Sequence, residues 1–337
     1  MTDDAQRAAH RAALDHVLGL CAGRWWSDSV VLRGSVLLPT WLGAAARPPA
    51  DLDWVVIGTA HDPEAVADRT YGWEYPDGSL ADLCRRYPEI EQQPGDDEPG
   101  WYVDRELDVA PAAPFGDLLD LLVERPRAAR GVVLCPAEAE ISDDWAYSGY
   151  DGVGVRLVIP WRAPGLPDGS VQLDFAADER VPETPVPTLV PRADGGPPAV
   201  VLAVSRELAL AWKVLWMYRD TRAYGWYDDG EDEPAPAARG KDLYDAVLLA
   251  EGCRTSELPR LLRDVFGDED IALDDLVSWP VDWAEFVAAH PWVTGTAREW
   301  SERLAAALPP LSDIPPYSPI PPRDLAALAD HWNSARS

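Results

Sequence analysis

The chain has 337 residues, with 58 Asp and Glu against 29 Lys and Arg, a formal charge of −29; only two of the basic residues, Lys213 and Lys241, are lysines. That length admits one large or two moderate domains, and 47% hydrophobic residues exclude wholesale disorder. No apolar run reaches the roughly 18 residues a membrane span needs, and no basic region followed by an apolar stretch opens the chain, so a soluble cytoplasmic protein with no membrane partner is expected.

Cys21, Cys84, Cys135 and Cys253 are scattered, form no CxxC and are too few to staple a chain this long, and the five histidines lack metal-ligand spacing, so zinc chemistry and a close-packed Cys-His catalytic signature have no sequence support. An acidic surface repels polyanions at long range and weighs against non-specific nucleic-acid binding.

In chain order, Thr2 to Leu20 repeats Ala9, Ala13, Val17 and Leu20 at helical spacing and predicts an amphipathic helix. Ser29 to Arg33 predicts a short strand ending at Gly34-Ser35, and Val36 to Leu42 a short helix in which Pro39 is tolerable only within the first turn. Asp53 to Gly58 predicts a second strand. From Asp68 to Pro114 the chain is rich in Pro, Gly, Asp and Glu and reads as an irregular insertion.

Leu118 to Val123 predicts a helix, and Gly131 to Leu134 and Val153 to Pro160 predict strands. The last pairs as a hairpin with Val171 to Phe175, across Pro164-Gly165 and Pro167-Asp168-Gly169. Pro182 to Pro198 reads as a connector without periodicity and places the domain boundary, giving 1–198 and a helical domain over 199–337. Helices are predicted over Glu207–Tyr218, Lys241–Ala250, Glu257–Val265, Ile271–Val277, Trp283–Ala289, Ala297–Leu308 and Arg323–His331. An acidic loop covers Tyr224 to Ala238. The fold class is α+β: a mixed sheet with flanking helices, then a helical C-terminal domain.

Asp51 and Asp53, two apart at a strand edge, point to one side, and Asp174 on a later strand can complete an oxygen cage. Such a cage suits Mg²⁺, and two ions would clamp a triphosphate while Asp174 orients or deprotonates an incoming hydroxyl. Gly34 lets the backbone approach phosphates, and Ser35 adds a hydroxyl at a helix start. Each piece has a plainer reading. A second acidic triplet stands at Asp268-Glu269-Asp270, Gly-Ser is an ordinary turn, and a lone aspartate on an alternating strand faces solvent. The order of strand, Gly-Ser, helix, DxD and later aspartate is what sets the group apart.

The segment Val31-Leu32-Arg33-Gly34-Ser35, with Arg47 and Asp51-Leu52-Asp53-Trp54, resembles the first motif of the AbiEii/AbiGii family of nucleotidyltransferase toxins. Arg156 to Asp174 is similar to that family's third-carboxylate hairpin, Glu207 to Lys213 to its lysine-bearing helix, and Arg239 to Asp245 to its closing Arg-Asp-x-x-Asp motif. The sequence departs in the 15 residues between Ser35 and Asp51 and in Gly240-Lys241, inserted between Arg239 and Asp242. The resemblance implies a nucleotidyltransferase-type sheet and transfer of an NMP from an NTP to an acceptor hydroxyl, such as a tRNA 3′ end. It also implies a toxin of a toxin–antitoxin or phage-defence system, with a cognate antitoxin as partner. Asp51, Asp53 and Asp174 would be metal ligands and, with Lys213 and Asp245, catalytic; Gly34, Ser35, Lys213 and Asp242 would bind the nucleotide. The rival readings are a small-molecule or protein acceptor and a non-catalytic interaction module.

With 27 Arg and 2 Lys, both lysines fall in the two C-terminal motifs. A guanidinium mimics a compact ammonium poorly at a tight phosphate contact. Lys213 lies mid-helix among Ala209, Trp212, Trp216 and Met217, where its charge calls for a ligand or an acid. Asp242 and Asp245 share a helical face. Trp25, Trp26, Trp212 and Trp216 read as core.

Overall fold

The computed structural model describes residues 2–24, 27, 30–56, 115–142, 154–176, 181–222, 237–253, 256–267, 269, 273–310 and 314–315. The predicted insertion, the helix over Arg323–His331 and nearly all of the Tyr224–Ala238 loop lie outside these residues, as do Trp25 and Trp26. The chain divides into two compact units. The described residues of the first lie within 1–40 and 47–204, and those of the second within 41–46 and 205–319.

In the first unit, α1 (Thr2–Cys21) buries Ala9, Ala13, Leu14, Val17 and Leu18 and packs on the sheet. The strands are β1 (Val30–Arg33), β2 (Leu52–Val56), β3 (Val133–Leu134), β4 (Glu140–Ser142), β5 (Gly154–Arg162), β6 (Gly169–Ala176), β7 (Val186–Val190) and β8 (Ala199–Ala203). Their order is β3-β5-β6-β2-β1-β8-β7, with β4 also on β5; β2 is parallel to β6 and β1 to β8, while the other pairings are antiparallel. This mixed sheet with helices is the α+β class the sequence predicts. A 3-10 turn (Ser35–Leu37) leads into α2 (Leu38–Leu42), where Pro39 is the second residue. Helix α3 spans Phe115–Glu124.

Two strands replace a predicted connector. β7 runs through Pro187, which is tolerated because β7 is the sheet edge and a proline there forfeits no central ladder bond. β8 is buried at every position, and such a continuous apolar run carries no alternation to mark it as a strand. Because β8 belongs to the sheet, the division between units falls after Val204 rather than after Pro198.

The second unit contains α4 (Arg206–Asp220), α5 (Gly240–Ala250), α6 (Leu258–Phe266), α7 (Trp283–Ala289) and α8 (Ala297–Ala307), with a two-stranded ribbon of β9 (Ala238–Arg239) and β10 (Val281–Asp282). The predicted helix over Ile271–Val277 is a 3-10 turn at Leu276–Ser278, with 271 and 272 outside the described residues. Ser205 caps α4 by accepting from the Leu208 N–H, and Thr296 and Glu299 form a capping box on α8. Helix α4 packs on α5 and α6, and α5 on α7 and α8. Tyr244, Phe286, Trp283 and Trp300 form a contiguous aromatic core, and Trp212 stacks on Trp216 at 6.3 Å. Cys21, Cys135 and Cys253 are free thiols.

Candidate active site

The first constellation lies where β1, β2 and β6 run side by side. Arg33 of β1 is the ladder partner of Asp53 on β2, and Asp53 is in turn the register partner of Asp174 on β6. Parallel neighbours sit about 4.8 Å apart, so the two aspartates occupy adjacent positions across a strand boundary. Asp53 is 8% exposed and Asp174 1%. Asp174 is therefore no solvent-facing residue of an alternating strand: β6 lies between β5 and β2, and Leu173 and Phe175 are buried as well.

Gly34 follows β1 with φ +79°, and a β-carbon there would stand 2.0 Å from Asp53 Oδ2. The position thus demands glycine twice, for its left-handed backbone and for the carboxylate pressed against it. The buried Ser35 hydroxyl donates to Asp51 Oδ1 at 3.3 Å and accepts from the Ala50 N–H at 3.3 Å. It ties the Gly-Ser turn to the start of the DxD across the intervening helical segment. The helix that follows has only five residues, so its dipole is small.

Asp174 is held by two residues the sequence reading did not single out. Arg156 Nε and Nη2 donate to its two oxygens at 2.8 and 3.0 Å, and Gln172 Nε2 donates to Oδ2 at 2.9 Å. Both were legible in principle. Gln172 is two before Asp174 on the same strand face, and Arg156 is its hairpin partner once the turn is centred on Gly165.

By donor chemistry the carboxylates suit a divalent cation: Asp53 borders the Cβ-free cradle at Gly34 and has Asp174 as its register neighbour, two hard oxygen donors of the kind that bind Mg²⁺ together with substrate phosphates. Among the described residues no three His, Cys, Asp or Glu side chains are gathered into a finished cage. Both oxygens of Asp174 are held instead by Arg156 and Gln172.

The second constellation is in the helical unit. Lys213 Nζ lies 2.5 Å from Asp242 Oδ1 and 3.3 Å from Asp245 Oδ2, and all three side chains are buried. It also stands 5.5 Å from the centroid of Trp216. Arg239 Nε lies 2.9 Å from Asp242 Oδ2 and 3.4 Å from Asp220 Oδ2, so the inserted Gly240-Lys241 leaves Arg239 still paired with Asp242. Burial pushes the Asp242 carboxyl upward, but the positive charges of Lys213, Arg239 and Lys241 outweigh it and hold the group well below the usual carboxylate range.

A mixed sheet with Gly-Ser after β1 and carboxylates on β2 and β6 is the arrangement that the sequence resemblance leads us to expect of a nucleotidyltransferase. The chain belongs to the AbiEii family, the nucleotidyl transferase AbiEii toxins of type IV toxin–antitoxin systems, whose model matches residues 24–317. Among solved structures it is similar to JHP933 from Helicobacter pylori, with 14% identity, 98% of each chain covered and a TM-score of 0.42. It is also similar to an H. pylori protein named as a candidate nucleotidyltransferase, with 12% identity, 89% of this chain and 92% of that chain covered and a TM-score of 0.43. No curated protein matches. Among the described residues no helix is long and apolar enough to cross a membrane.

Proposed function

We propose that this nucleotidyltransferase moves a nucleoside monophosphate from an NTP to an acceptor hydroxyl. The observation that carries the reading is the register of Asp53 beside Asp174, with the Gly34 backbone pressed on Asp53. Asp51, Asp53 and Asp174 would hold Mg²⁺, which when bound neutralises the phosphate oxygens and so favours attack at the α-phosphorus. Gly34 and Ser35 bring main chain close to the phosphates. Asp174 takes the proton of the acceptor hydroxyl as that oxygen bonds to the α-phosphorus, and pyrophosphate leaves as the bond to the β-phosphate oxygen breaks. Asp242 and Asp245 fix the ammonium of Lys213; its phosphate-facing role rests on the order of the motifs.

For the acceptor we take a tRNA 3′ end and for the partner a cognate antitoxin, both implied by the family, with phage defence as the setting and the cytoplasm as the place of action. The net charge of −29 favours a second reading, a small-molecule or protein acceptor, because it opposes the approach of RNA. Incubation with each labelled NTP, Mg²⁺ and total tRNA separates the two: label on RNA supports the first, and label elsewhere the second. Absence of NTP binding, with Asp51→Ala and Asp53→Ala indistinguishable from the parent in every assay, would sink the catalytic assignment.

A further inference from the structure

Asp174 is a buried carboxylate in mid-sheet with another carboxylate, Asp53, at the adjoining register position. Two such charges side by side need a compensating cation. Arg156 supplies one from across the hairpin, with its fork matched to both oxygens. The two partners differ in burial and in length. The Asp174 side chain is 2% exposed and short, whereas that of Arg156 is 35% exposed and ends a long flexible stem. Gln172 holds Oδ2 from the same strand and carries no charge, so it does not replace the cation.

Resting on the nucleotidyltransferase reading above, we propose that Arg156 is a resident counter-cation. Its guanidinium occupies Asp174 while no divalent ion is bound, and it swings toward solvent when an ion takes Asp53 and Asp174. Arg156 is thus a positioning residue that competes with the metal for one carboxylate and keeps Asp174 from acting as base until the ion has arrived. The competition makes apparent metal affinity weaker than the bare carboxylates would give, because binding must first displace the guanidinium.

The test is Mn²⁺ and Mg²⁺ titration of the full chain by calorimetry, with thermal unfolding in metal-free and metal-containing buffer. Arg156→Gln is expected to bind Mn²⁺ about tenfold or more tightly than the parent. It should melt several degrees lower without metal and regain most of that loss when metal is added. Adding Asp174→Asn to that variant should erase both the affinity gain and the metal-dependent recovery. Arg156→Lys, which keeps the charge but not the fork, should fall between and serves if the glutamine variant does not fold. Equal or weaker metal binding by Arg156→Gln and Arg156→Lys, with Asp53→Asn abolishing binding to the parent, would overturn the counter-cation role and leave the parent reading standing. Absence of any saturable binding sensitive to Asp53→Asn, in parent and variants alike, would overturn both.

Discussion

The α-carbon of Gly34 and the carboxylate of Asp53 are so close that a β-carbon built on the glycine would stand 2.0 Å from Oδ2 and 2.9 Å from Cγ. A real side chain cannot occupy that space, and φ of +79° adds its own penalty. Of the two partners, Asp53 would have to yield, since Gly34 is fixed between β1 and the 3-10 turn.

Gly34→Ala is therefore expected to displace Asp53 and to cost roughly 1–3 kcal/mol in folding, the scale of a forced left-handed residue plus local strain. Nucleotide transfer should drop by about 10²-fold or more, because misplacing a catalytic group by an ångström costs that much. Urea unfolding and single-turnover transfer assays read the two effects. Unchanged transfer would show that Asp53 does not need this contact.

Lys213 is held between two buried carboxylates. Lys213→Met removes the charge and leaves Asp242 and Asp245 in the interior, so a loss of about 3–5 kcal/mol is expected at pH 7. The pH dependence follows from Asp242, whose carboxyl lies well below its ordinary value of 3.8 in the folded chain. Stability from that depression is fully present above about pH 3.8 and is lost as pH falls through the folded value. The gap between parent and Lys213→Met should thus narrow below about pH 3.8 in urea titrations. Lys213→Arg overfills the same site and should cost about 1–3 kcal/mol.

The residues that announce themselves in the sequence do so through local spacing. Asp51 and Asp53 are two apart, Asp242 and Asp245 share a helical face, and Lys213 shares a helical face with the half-buried Ala209 and the buried Met217, four residues to either side. What escapes is set by pairing at a distance. Arg156 becomes a partner of Asp174 only when the hairpin register is fixed, and one residue of slip would turn it to the other face. β7 and β8 escape for other reasons: Pro187 argues against a strand unless its edge position is known, and Ala199 to Ala203 has no polar residue to reveal a period of two.

His16 on α1 has its Nε2 2.7 Å from the Arg125 carbonyl oxygen, a contact that requires the N–H to sit on Nε2. Burial lowers its pKa most strongly; the Arg125 carbonyl bond opposes that, while the charges of Arg192 and Arg125 add to it. The unfolded chain then binds more protons than the folded one below the ordinary value of 6.5. The stability contribution is therefore present above pH 6.5 and lost as pH falls through the folded value. Urea midpoints at pH 7.5 and 5.5 should fall with acid, and His16→Gln, which retains an N–H donor, should flatten that dependence. An equally steep fall in the variant would assign the effect to other groups.

Gly240 and Gly116 make opposing predictions for one and the same substitution. Gly240 opens α5 and Gly116 is the second residue of α3, and neither has the positive φ that would by itself demand glycine. Helix propensity alone favours alanine at each by up to about 1 kcal/mol. Around Gly116 nothing lies within 4 Å of the added carbon, so Gly116→Ala should be neutral or stabilising by up to that amount. At Gly240 the added carbon would meet Phe286 Cβ at 2.5 Å and the Asp282 carbonyl oxygen at 2.6 Å. Neither contact is the far end of a flexible side chain, so the clash outweighs the propensity and Gly240→Ala should destabilise by about 1–3 kcal/mol. Because Gly240 lies beside Arg239 and two residues before Asp242, the shift should also reach the Lys213 contacts, and Lys213→Met should then cost less in the Gly240→Ala background than alone. A double-mutant cycle in urea measures that coupling. Additive losses would show that the inserted Gly240-Lys241 serves helix packing alone and does not bear on the charged cluster.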